Sequence, residues 1–394
     1  MAPSNPTRRD FLLYGLLGLG GAFIVGSMGR EALRPYLDEY LGQKEKSDLL
    51  AKIQKAGLSM HEAMWSKNRG AGVVQCILCP NECVLRAGER GLCRTRINIE
   101  GGLKTLVYGL PLSANVDPIE KKPVFHMLPG STAFSIATAG CVLACKFCQN
   151  WQISQASPED TDNFSLGPAD VVAAALRYGS RSVAYTYTEP TAFYEYMLDT
   201  AKLVKKAGLR NIMISCGYIN PDPLREISEW MDVVKIDLKG FRKSFYKEVC
   251  GAELDPVLET LRVLKEKRVL TEVVNLIVPS LNDDPQGIDD MIVWIRDTLG
   301  PETPLFFSRF YPQFKLTNLP PTPVETLEMA RNKAMAAGLE YVYVGNVPGH
   351  DGENTYCPKC HRLIVHRIGY SIGEVNIRDG ACSFCRHPIP GIWS

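Results

Sequence analysis

The sequence predicts an α/β fold: a partial (β/α)6 TIM-like barrel with a small Cys-rich module on either side of it. Three observations predict it. Apolar strand-like runs alternate with amphipathic helical stretches through the middle of the chain, the pattern of a parallel sheet. Eleven of the 13 cysteines fall into three spaced groups, one before that region, one inside it and one after it. Only Cys216 and Cys250 stand apart, so the cysteines read as metal ligands kept reduced rather than as a disulfide framework.

The strand-like runs are residues 134–139, 182–188, 211–215, 233–238, 270–278 and 305–310. Helical patterns lie between them at 170–178, 192–206, 223–230, 256–267 and 287–299. Six such units fit an open barrel better than a closed eightfold one. Residues 324–338 and 341–344 add a further helix and strand at the edge. Before the first run, 104–128 reads as short strands and a loop leading into the core. The net charge of +1 gives no electrostatic case for a nucleic-acid partner.

The N-terminus carries an address. Arg8 and Arg9 precede an uncharged, Gly-rich apolar stretch from Phe11 to Met28. Twin arginines before such a segment resemble a Tat export signal. The stretch also sits at the lower limit for a spanning helix, so a retained membrane anchor is the alternative. Either way the barrel is exported or tethered to a membrane. The expected organisation is a leader or anchor over 1–34, a helical spacer over 35–72, a Cys-rich module over 73–130, the barrel over 131–350 and a tail module over 351–394. Apolar positions of the spacer are Leu49, Leu50, Ile53, Leu58 and Met64.

Each cysteine group has its own spacing. Cys76, Cys79, Cys83 and Cys93 are separated by two, three and nine residues. Gly88 and Gly91 let the chain turn back to bring Cys93 in. Four such thiolates close a tetrahedral zinc site or hold an auxiliary iron–sulfur cluster, and the spacing leaves both open. Cys357 and Cys360, then Cys382 and Cys385, form two C-x2-C pairs, the pattern of a zinc-ribbon-like knuckle.

The central group is Cys141, Cys145 and Cys148, spaced C-x3-C-x2-C directly after the first strand-like run. A four-iron cluster takes four thiolates, so three in one loop leave one iron open to a small molecule. A zinc knuckle would need a fourth ligand, and no Cys or His lies in the next turn of chain. Phe147, beside the last cysteine, can pack a flat group against the loop. The spacing resembles the radical S-adenosylmethionine (SAM) superfamily, in which the methionine end of SAM chelates the open iron.

Barrel chemistry gathers at the carboxyl ends of strands. Glu189 follows the second run, where the resemblance places the carboxylate that binds the SAM amino group; a carboxylate suits an ammonium. Its other reading is a glutamate favoured by a helix N-terminus, with Pro190 in the first turn. Gly217, after the third run, permits close backbone approach to SAM or serves as a turn glycine. Asp237 and Lys239 point to one face of an extended chain. Lys239 can pair with the SAM carboxylate, and Asp237 can accept from a ribose hydroxyl or bind a cation; the alternative is a strand-end ion pair. Asn275 and Arg309 finish later strands, Asn275 as a cofactor contact and Arg309 as an orienter of an anionic substrate group.

Asp117–Pro123, Thr138–Ser154, Tyr187–Pro190, Asp237–Lys239, Ser308–Pro312, Gly345–His350, Glu353–Cys357 and Ile389–Trp393 together resemble the AmmeMemoRadiSam-system radical SAM proteins, described as similar to pyruvate formate-lyase activating enzymes. The resemblance runs from about Cys76 to the C-terminus and leaves the leader out. Cys216 departs from the asparagine common at its position. The resemblance implies a [4Fe-4S] enzyme in which the reduced cluster on Cys141, Cys145 and Cys148 cleaves SAM to methionine and a 5′-deoxyadenosyl radical, which abstracts hydrogen from a substrate. It names no substrate, small molecule or protein. A reductant such as ferredoxin or flavodoxin is implied. Two further readings are an activase of a glycyl-radical enzyme and a membrane-tethered iron–sulfur electron carrier; a carrier has no need of Glu189 and Lys239.

Overall fold

The computed structural model describes Gly42 and residues 44–394, so the leader and the start of the spacer lie outside the described residues. The chain divides into two units, Met1–Ala51 and Lys52–Ser394. Residues 44–55 are helical. The helical spacer expected as far as residue 72 stops there. Gly57 takes φ +61°, the left-handed conformation that ends helices. His61–Glu62 and Ser66–Gly70 are then strands.

The body of the second unit is an eight-stranded sheet whose strands follow chain order. They are β1 (Ser113–Pro118), β2 (Thr132–Ala137), β3 (Ser182–Tyr185), β4 (Arg210–Ser215), β5 (Val233–Asp237), β6 (Leu270–Ile277), β7 (Leu305–Arg309) and β8 (Val342–Gly345). β1 pairs antiparallel with β2, and each later neighbour is parallel. The parallel run therefore includes β8, which the sequence placed as an edge addition to six units. β1 and β8 are the two ends of the sheet, so the barrel is open.

Helices α1 (Pro168–Arg177), α2 (Tyr194–Lys206), α3 (Pro221–Ser228), α4 (Asp255–Glu266), α5 (Pro285–Leu299) and α6 (Val324–Ala336) cover the outer face. Proline in the first turn starts α1, α3, α4 and α5, where its missing N–H costs nothing. Asp284 caps α5 by accepting the Gly287 N–H at 2.6 Å. Strand periodicity sorts the core into two sides. Leu305 and Phe307 of β7 pack with helix residues such as Leu261 and Ile292, whereas Phe306 between them faces Phe125 and Tyr343.

The inner side is filled by the β1–β2 connection and by the C-terminal tail. Ile119, Val124, Met127 and Leu128 pack on Ala133, Ala184, Ile212, Ile214 and Val233. The tail strands Leu363–Ile368 and Ser371–Val375 deliver Arg367, whose NH2 donates to the Phe125 carbonyl at 2.9 Å. Its guanidinium lies 4.0 Å from the Phe125 ring centroid. The Leu128 N–H donates to the Ile392 carbonyl at 2.7 Å, and the Ile392 N–H to the His126 carbonyl at 2.8 Å. These bonds pair buried backbone groups of the β1–β2 connection with the tail, as burial requires.

Candidate active site

The loop after β2 is shaped by contacts to three other segments. Gly140 has φ +90°, and a Cβ there would meet the Cys93 carbonyl at 2.3 Å, so glycine alone fits. The Asn81 amide donates to the Val142 carbonyl at 2.9 Å. The Ala144 and Lys146 N–H groups donate to the Cys250 and Val249 carbonyls, both at 2.9 Å. The loop backbone is thus fixed by neighbours from both sides.

Cys141, Cys145 and Cys148 line one cavity of about 460 Å³ at the carboxyl ends of the strands, together with Phe147, Glu189, Cys216, Asp237 and Lys239. These eight residues come from the ends of four successive strands, β2 to β5, as the barrel predicts. Burial pushes the Cys141 and Cys148 thiols up, so their thiolates need a cation to be stable there. The three sulfurs do not all lie within 4.8 Å of one another, a spread that suits ligands on separate irons of one cluster.

Glu189 is buried, and it sits at a helix N-terminus while also facing the cavity. It caps the short 3-10 helix Pro190–Phe193, its Oε1 accepting the Thr191 N–H at 3.1 Å and the Thr191 hydroxyl at 2.8 Å. It also lines the cavity. Ser215 at the end of β4 donates to Oε1 at 2.7 Å, and the Cys216 N–H to Oε2 at 2.8 Å. Cys216 thus contributes its backbone, a contact that any non-proline residue at this position can make. Tyr187, two residues earlier, holds φ +66°, strained for a tyrosine. Its carbonyl accepts the Asn150 amide at 2.6 Å.

Asp237 sits between two lysines, accepting from Lys235 and, at 2.8 Å, from Lys239. Burial opposes its ionisation, but the two ammonium groups outweigh it and hold the carboxyl well below the usual range. The strand-end ion pair therefore exists, and it aims Lys239 into the cavity. Lys239 Nζ lies 5.9 Å from the Phe147 ring centroid, and Phe147 stacks on Phe245 at 6.1 Å.

Two expected contacts fall elsewhere. Gly217, with φ +72°, is a packing glycine; a Cβ would meet Ile236 and Val257, each at 3.2 Å. The Asn275 amide donates to the Leu238 carbonyl at 2.8 Å. Neither lines the cavity. Arg309 is also off its wall, donating from Nε to the Thr322 carbonyl at 2.8 Å.

Residues that sequence reasoning passed over complete the wall. Asp117 accepts from Lys121 at 2.8 Å, Lys122 at 2.5 Å and Tyr187. Burial lowers Lys122 to about 8, with Asp117 only partly opposing it. Lys121, Lys122 and Tyr187 all face the cavity. The Asp117–Pro123 run marked them, but it held no spacing that assigns a role.

The tail cysteines differ in geometry. Cys357, Cys360, Cys382 and Cys385 are, among the described residues, the one set of three or more such side chains whose ligand atoms all lie within 4.8 Å of one another. Cys357 and Cys385 sulfurs are 3.6 Å apart, and Cys360 and Cys382 sulfurs 3.8 Å. A tetrahedron with Zn–S bonds of about 2.3 Å has edges of about 3.8 Å.

Residues 135–295 match the family described as the radical SAM superfamily. The chain is 46% identical over 332 residues to an uncharacterised protein of Methanocaldococcus jannaschii, covering 84% of this chain and 99% of that one. It is 26% identical over 159 residues to the pyruvate formate-lyase-activating enzyme of Clostridium pasteurianum, 38% of this chain and 63% of that protein. Among solved structures, a radical SAM methyltransferase from Sphaerobacter thermophilus aligns at TM-score 0.45 and 14% identity, over 57% of this chain and 70% of that chain. A domain of pyruvate-formate lyase-activating enzyme from Bacteroides vulgatus aligns at TM-score 0.38 and 14% identity, over 42% of this chain and 99% of that domain. The three-cysteine loop lies inside the matched stretch, residues 135–295, and the chain belongs to the radical SAM superfamily.

Proposed function

We propose that the protein is a radical SAM enzyme that binds a [4Fe-4S] cluster on Cys141, Cys145 and Cys148 and holds SAM against it with Glu189 and Lys239. One observation carries the reading: these five side chains line the same cavity, although they come from segments almost a hundred residues apart. When bound, the cluster and SAM supply reductive cleavage to methionine and a 5′-deoxyadenosyl radical that abstracts hydrogen.

The chain's own residues then bind and orient. Oε1 of Glu189 is taken by Thr191 and Ser215. Oε2 takes the Cys216 N–H, which leaves it lone-pair capacity for an ammonium. Lys239 presents a cation that Asp237 keeps charged. Phe147 and Phe245 wall the loop with apolar rings, which keeps water from the reacting atoms.

The test is anaerobic reconstitution, reduction and addition of SAM. Formation of 5′-deoxyadenosine and methionine is expected, and its absence in the reduced wild type overturns the reading. A second reading, activation of a glycyl-radical partner protein by a ferredoxin- or flavodoxin-fed enzyme, is favoured by the similarity to the Clostridium activating enzyme. A backbone glycyl radical appearing in a co-incubated partner would support it.

A further inference from the structure

We propose that Cys76, Cys79, Cys83 and Cys93 hold a second four-iron cluster, not zinc, beside the loop that carries Cys141, Cys145 and Cys148. All four line one small closed cavity with Arg96, Thr191 and Val142. Three of them are buried and Cys83 is half-buried. The Cys83 and Cys93 sulfurs each lie 3.7 Å from the position of a Gly91 Cβ, so the turn at Gly91 does bring the distant Cys93 back to the first three.

The molecule carries its own standard for zinc. The tail quartet meets the edge length of a Zn–S tetrahedron. No three of Cys76, Cys79, Cys83 and Cys93 draw within 4.8 Å of one another, and in this they match Cys141, Cys145 and Cys148. Thiolates on separate irons of a cubane stand farther apart than thiolates on one ion. The spacing agrees: three closely spaced cysteines and one distant one are a ferredoxin-like arrangement, whereas the tail has two C-x2-C pairs.

The surroundings agree as well. Arg96 is buried, and its NH1 lies 3.7 Å from the Cys76 sulfur. The Thr95 hydroxyl lies 3.3 Å from the Cys93 sulfur. Donors on ligand sulfurs are a means by which proteins set cluster potentials. The same site abuts the barrel loop through Asn81 and Val142 and through Cys93 and Gly140.

The proposal rests on geometry separate from the SAM site, and its test separates the two. The full chain is reconstituted anaerobically with iron and sulfide, and iron, sulfide and zinc are counted. About eight irons, about eight sulfides and one zinc per chain are expected; about four irons and two zincs overturn the proposal. Replacing Cys141, Cys145 and Cys148 together by Ser changes none of the four cysteines of the N-terminal module. This variant is expected to keep about four irons, with a cubane signature in Mössbauer spectra. Adding Cys79→Ser and Cys83→Ser should then remove them while zinc in the tail stays. A triple variant that carries zinc but no iron and sulfide in this module would refute the second cluster whether or not the wild type cleaves SAM.

Discussion

The Ser215 hydroxyl donates to Glu189 Oε1 at 2.7 Å, so a residue at the end of β4 orients a carboxylate at the end of β3. A charge-assisted contact contributes about 1.5–3 kcal/mol, or about ten- to a hundredfold in affinity. Glu189→Gln and Lys239→Met are expected to keep the cluster absorption and lose that much SAM affinity. Ser215→Ala, which only loosens the carboxylate, should cost about tenfold or less. Full cleavage by Glu189→Gln at limiting SAM would remove Glu189 from the site while sparing the cluster assignment.

Gly140 lies directly against the backbone at Cys93, where the barrel loop meets the N-terminal cysteine module. Gly140→Ala should disrupt the loop by more than about 2 kcal/mol, because both the positive φ and the Cys93 carbonyl oppose a side chain. The measurement is iron content after reconstitution, expected to fall well below the wild type's.

Glu272 is buried in β6 and accepts the Phe125 and His126 N–H groups at 2.9 Å each. Burial raises its carboxyl to about 7, the two N–H groups opposing. The folded state therefore holds a proton that the unfolded state has lost. This contribution to stability is complete below the unfolded value near 4.5 and disappears as pH rises through about 7. It amounts to about 3 kcal/mol. Glu272→Gln should flatten the fall of melting temperature across that window; an unchanged slope would show that Glu272 titrates normally.

Cys357→Ser with Cys382→Ser should release zinc and unfold the tail, since so small a module needs its metal to fold. Spectra of the barrel cluster are expected to persist. Iron in place of zinc in the wild-type tail would contradict the assignment.

Replacing Arg8 and Arg9 by Lys should block Tat-dependent translocation of a reporter fused after Arg34. Unaltered export of the variant would argue for a plain signal or anchor.

Residues whose meaning lies in local spacing were legible in the sequence. The three-cysteine loop, Glu189 before Pro190 and the Asp237–Lys239 pair are each read within a few positions. What stayed hidden depends on partners far along the chain. Asp117 gains its role from Tyr187, seventy residues on, and Ser215 from Glu189, twenty-six residues back. β1 is half-exposed and polar, Ser-Ala-Asn-Val-Asp-Pro, so it lacked the apolar run that marked the parallel strands. Asn275 lies inside β6 rather than at its end and donates to the Leu238 carbonyl just past the neighbouring β5, and Gly217 is packed against Ile236 and Val257; spacing along one strand does not report such neighbours.

The bonds from His126 and Leu128 to Pro390 and Ile392 join segments about 264 residues apart. At about 5–20 residues per second, the ribosome makes the second segment roughly 13–50 seconds after the first. For that interval the inside of the barrel lacks its Arg367 and Ile392 contacts, and the chain is longest exposed to aggregation. Docking of the tail and completion of the barrel interior are thus late, shared events in the birth of each molecule.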